Sequence, residues 1–75
     1  MLKHDIDIKA EIIWDLLCEN DALTVKEIGE ITGFKEVLIT MALGWLARED
    51  KIDFFEKNNV IYVELKKIIY SEMYF

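Results

Sequence analysis

The side chains that could do covalent or acid–base chemistry in this chain are few and scattered. It has one histidine, His4, one cysteine, Cys18, and fifteen acidic residues. No nucleophile stands at a spacing that pairs it with a base, and no Gly-rich phosphate loop occurs. One Cys and one His cannot supply a zinc-type ligand set or an internal disulfide, so Cys18 is expected as an ordinary buried thiol in a reducing compartment. The carboxylates are expected on solvated faces. An enzyme is therefore not expected, nor a cofactor, a metal or a small-molecule ligand.

Polar residues that could meet nucleic acid are equally sparse. Nine basic against fifteen acidic residues give a formal charge of −6 and a pI near 4.6, the opposite of the basic face that attracts phosphate backbones. Only Lys66 and Lys67 are adjacent. No charged n-region precedes an apolar stretch and a cleavage site, and the longest uncharged run, Val37 to Ala47, falls far short of the roughly 20 residues that cross a bilayer. The cytoplasm is the expected location, with no membrane partner.

At 75 residues the chain makes one small domain, 1–75, able to bury only about 60% of the surface its unfolded form exposes. Yet 53% of its residues are hydrophobic, above the roughly 45–50% typical of soluble domains. That surplus predicts self-association.

The elements that must position these residues follow from spacing. A first helix is predicted over Asp5 to Glu19, with Asp5 as N-cap and with Ile6, Ala10, Ile13 and Leu17 on one side. Trp14 is expected as a core anchor beside them, and Ile8, Ile12 and Leu16 form a second apolar row. Asn20-Asp21 makes a turn, and Ala22-Leu23 can add a short extended segment. Thr24-Val25-Lys26-Glu27 matches a capping box that opens a second, two-turn helix, stopped at Thr32-Gly33. A third helix follows Phe34 and runs to about Glu49. Beyond Asp50, Ile52 to Glu56 and Val60 to Leu65 read as two strands around the turn Lys57-Asn58-Asn59. Ile52, Phe54, Ile61, Val63 and Leu65 are expected to face the helices, with Phe55, Val60 and Tyr62 outside. The tail, 66–75, is apolar enough to be expected docked on the domain or on a partner.

Helix, turn, capped helix, helix and β-hairpin is the order of an α+β winged helix-turn-helix. At TVKEIGEITGF and MALGWLAREDKI the sequence resembles a family of short stand-alone winged helix domains of uncharacterised function, whose third helix ends in a similar ALGWLARE-type segment. The resemblance covers roughly Asp5 to Leu65. Lys35 stands where Ser, Thr or Asp would cap the third helix better, and Asp50 stands where Gly is common. The resemblance implies the fold; winged helices serve DNA binding, dimerisation and protein docking alike, so function rests on the site.

In that register Leu46, Ile39, Ala42 and Leu43 face the core, and the outward side of the third helix carries Val37, Leu38, Met41, Gly44 and Trp45. Base edges are read by Arg, Lys, Asn or Gln, and none of these occurs from Glu36 to Ala47. The residues available for nucleic-acid contact are Lys35, Thr40, Arg48 and Lys57. A helix apolar on both sides must be buried on both. The expected function is thus a homodimeric or protein-interaction module in a regulatory role; the alternative is a winged helix DNA-binding regulator.

Overall fold

The computed structural model describes residues 3–66, and the tail expected to dock, 66–75, lies outside the described residues except for Lys66. Three helices, α1 (Lys3–Glu19), α2 (Val25–Thr32) and α3 (Glu36–Arg48), are followed by a hairpin of β2 (Ile52–Lys57) and β3 (Val60–Leu65). A two-residue strand, β1 (Leu23–Thr24), pairs antiparallel with β3, so the sheet order is β1-β3-β2. The short extended segment expected near Ala22-Leu23 thus turns the hairpin into a three-stranded sheet.

Each helix boundary has a local cause. α1 begins two residues before Asp5, which lies in its first turn and is not its N-cap; there its charge still complements the amide end of the helix. At the other end Asn20 Nδ2 donates to the Leu16 carbonyl at 2.9 Å, satisfying one of the orphan acceptors of the last turn. α2 opens on the complete capping box: the Glu27 amide donates to Thr24 Oγ1 at 3.1 Å and the Thr24 amide to Glu27 Oε1 at 2.9 Å. It closes on Gly33, left-handed at φ 76°, whose amide donates to the Gly29 carbonyl, a conformation that costs any residue with a Cβ. Removing the cap in Thr24→Ala should cost about 0.5–2 kcal/mol. A urea melt followed by circular dichroism reads this as a shifted midpoint with an unchanged slope.

α3 starts at Lys35, which supplies no side-chain cap. It ends in a Schellman arrangement, in which the Lys51 amide reaches the Leu46 carbonyl and the Asp50 amide reaches that of Ala47. Asp50 takes the left-handed position at φ 62°, a conformation Asp tolerates better than most residues. Its carboxylate also accepts from Lys66 Nζ at 2.7 Å, and the Lys66 amide donates to the Lys51 carbonyl. The end of the hairpin is thereby tied to the end of α3. That hydrogen bond, with the charge of Asp50 behind it, holds the Lys66 ammonium above its ordinary value. The contribution is therefore present at neutral pH and lost as pH rises through the lysine range; for an exposed surface pair it is small.

The hairpin turns on two residues, Asn58 and Asn59, both at positive φ, with Lys57 paired to Val60 and not part of the turn. This is the type I′ geometry that matches strand twist and favours Asn. On the outer face Phe55 and Tyr62, directly opposite each other, stack with centroids 5.3 Å apart.

The core gathers Ala10, Ile13 and Leu17 of α1, Leu23 of β1, Ile28 of α2, Ile39, Ala42, Leu43 and Leu46 of α3, and Ile52 and Val63 of the sheet. Four expectations fail against it, the first being Cys18, expected as a buried thiol and found exposed. Trp14 is 37% exposed and is not a core anchor: it stands one helical step, about 100°, from Ile13, and that step carries it to the rim. Ile8 and Ile12 are exposed, although α1 itself does pack on both α3 and β3. Phe54 and Ile61 lie on the inner face as the alternation requires, yet are 49% and 51% exposed, because the strands run past the helices that would cover them.

Candidate interaction surface

The inward row of α3, Ile39, Ala42, Leu43 and Leu46, is sealed in the core. At 100° per residue the direction opposite that row falls on Val37, Met41, Gly44 and Arg48, spaced four, three and four apart. Val37 is 61% and Met41 45% exposed, and Gly44 and Arg48 are exposed as well. A Cβ placed on Gly44 would meet nothing within 4 Å. So nothing inside the domain requires a glycine there, although glycine in an exposed helix interior costs about 1 kcal/mol relative to alanine.

Leu38 and Trp45 flank this row on one side and are half-buried. Trp45 therefore does not stand at the centre of the outward face: it leans toward α1 and packs in part against the core. Together with Trp14 it walls an open groove of about 620 Å³ between α1 and α3, whose rim carries Asp7, Glu11, Asp15 and Glu49. Lys51 adds one cation to that rim, 3.5 Å from the Glu49 carboxylate. The spacing Asp7, Glu11, Trp14, Asp15 on one helix was the signal for this wall.

The polar residues that could meet nucleic acid do not form one surface. Lys35 sits exposed at the N-cap of α3 and Arg48 at its last residue, at opposite ends of a 13-residue helix. Thr40 is exposed, but its hydroxyl donates to the Glu36 carbonyl at 2.9 Å within the helix. Lys57 lies on another element, at the tip of β2 beside Glu56. The wing also exposes Phe54, Phe55, Val60 and Ile61 where a phosphate grip would be basic. Strands of six residues on helices of two to five turns should have signalled this overhang.

Among the described residues no group of three or more His, Cys, Asp or Glu side chains is placed to hold a metal ion. No helix among them is long and apolar enough to cross a membrane.

A three-helix unit with a capped second helix, an outward-facing third helix and a hairpin wing defines a winged helix-turn-helix domain. The chain belongs to the family described as winged helix-turn-helix domain (DUF2582), whose model matches residues 1–65. It is similar to the solution NMR structure of protein BT2368 from Bacteroides thetaiotaomicron, at 29% identity and a TM-score of 0.80, over 88% of this chain and 80% of that one. No curated protein matches the chain.

Proposed function

We propose that this winged helix domain is a non-enzymatic interaction module in a regulatory role, which pairs with a second copy of itself through the outward face of α3. The observation that carries the reading is the composition of that face. Where a DNA-reading domain would place several Arg, Lys, Asn or Gln, this helix exposes Val37, Met41 and an open Gly44, with Arg48 the one cation of the row, at its C-terminal end. Flexible Met side chains and area depleted of charge are what the centres of protein interfaces use. The net charge of −6 adds a repulsion toward phosphate that the few exposed cations do not reverse.

The competing reading is a DNA-binding regulator that would rely on Lys35, Thr40, Arg48 and Lys57. Fluorescence anisotropy with random duplex at low salt separates the two. The interaction module gives no saturable signal up to tens of micromolar protein. Saturation that weakens as salt rises would transfer the function to DNA.

A further inference from the structure

We infer that the groove between α1 and α3 binds an extended basic segment of a partner protein, with alternate cationic side chains set against the indoles of Trp14 and Trp45. The groove shares no residue with the outward row Val37, Met41, Gly44 and Arg48, and its occupancy does not require self-association. Two of its features are unfavourable in one copy alone. Trp14 is more than a third exposed, a large aromatic left partly in water. Beside it Asp7, Glu11 and Asp15 follow one another at steps of four along the rim, a spacing at which like charges on a helix repel. Among the described residues no ion pair relieves any of the three. Glu49, the C-cap of α3, adds a fourth carboxylate, and Lys51, 3.5 Å from it, offsets one charge. Four carboxylates less one ammonium leave the rim with three negative charges.

Indole is the aromatic ring that attracts cations best, and a guanidinium also stacks on it. Tryptophan walls under an acidic rim are therefore matched by Arg or Lys and opposed to phosphates and carboxylates. Spacing selects the form of the segment. Asp7 to Asp15 is eight residues of helix, about 12 Å, with a carboxylate about every 6 Å. On an extended peptide, alternate side chains share a face and recur about every 6.6–6.8 Å. Three cations at every second position therefore meet three carboxylates, while their methylene stems cover the indoles. A helical segment, about 10–12 Å across with its side chains, is too thick for a groove of about 620 Å³. A second copy does not supply the pattern: of the nine basic residues only Lys66 and Lys67 are neighbours, and no two stand two positions apart.

Trp14 and Trp45 are the two tryptophans of the chain, so indole emission reports on this groove directly. The probe is a short synthetic peptide of alternating Arg and Ser, free of aromatic residues, titrated into the full chain at low salt. A saturable change in emission is expected, weakening as salt rises. Glu11→Lys, at an exposed position of α1, should lower the affinity on the order of tenfold by turning one attraction into a repulsion, with the helical circular dichroism unchanged. Trp14→Ala should lower it roughly threefold, Trp45 still reporting. An unchanged affinity in Glu11→Lys would place the peptide elsewhere on this acidic chain and overturn the site. Tighter binding of spermine than of the peptide would reassign the groove to a polyamine. No saturable change up to millimolar peptide would leave the groove without a basic partner, whatever mass the chain shows on sedimentation.

Discussion

Ile13→Ala should unfold most of the protein at 37 °C, whereas Trp14→Ala, one residue along, should leave a cooperative domain. Ile13 is fully buried at the centre of the core, while Trp14 stands at the rim, more than a third exposed. Truncating a buried Ile costs about 2–5 kcal/mol in lost transfer energy and cavity. A core this small rarely supplies more than about 3–5 kcal/mol in all. Trp14 loses part of one face, and its truncation should cost about 1–2 kcal/mol by apolar area. Urea melts of the two variants by far-ultraviolet circular dichroism decide it. Equal losses of helical signal in water would mean that Trp14 is held more tightly than its exposure indicates.

Met41→Glu should raise the dimer dissociation constant by on the order of 100-fold or more, equivalent to about 2.7 kcal/mol, while the monomer keeps its helical spectrum. In one copy Met41 is 45% exposed, so a carboxylate there stays hydrated. In the pair it would be pressed onto the partner's helix, and an unpaired charge removed from water is costly. Gly44→Ala tests the same contact from the other side. It should stabilise the isolated domain by up to about 1 kcal/mol, or several degrees in Tm for a chain of this length, and at the same time weaken association by filling the open space at that position. A gain in both stability and association would show that Gly44 faces solvent in the dimer.

Most of the fold was legible because local chemistry and hydrophobic spacing agreed. Thr24 with Glu27, Gly33, Asp50 and the Asn58-Asn59 pair each dictate a backbone conformation by themselves. The spacing of Ile39, Ala42, Leu43 and Leu46 oriented α3 correctly. What misled was size. Trp14 was expected inside because large aromatics usually anchor cores, yet a row already filled by Ala10, Ile13 and Leu17 left no room for an indole. Trp45, expected on the partner side, shares its exposure with a groove against α1, since it stands at the border between the inward and outward faces. Phe54 and Ile61 obey strand alternation but outrun the helices, a length mismatch that alternation alone does not reveal. The candidate surface was readable in the uncharged run of α3. The open space at Gly44 needed coordinates, because a sequence does not distinguish a glycine crowded by its own domain from one facing nothing.

Sedimentation equilibrium of the unmodified chain and of Met41→Glu at tens of micromolar tests the central claim most directly. The unmodified chain should show twice its 8.9 kDa mass and the variant the chain mass itself. A single mass of 8.9 kDa for the unmodified chain at every concentration, or an unaltered dimer in the variant, would contradict it.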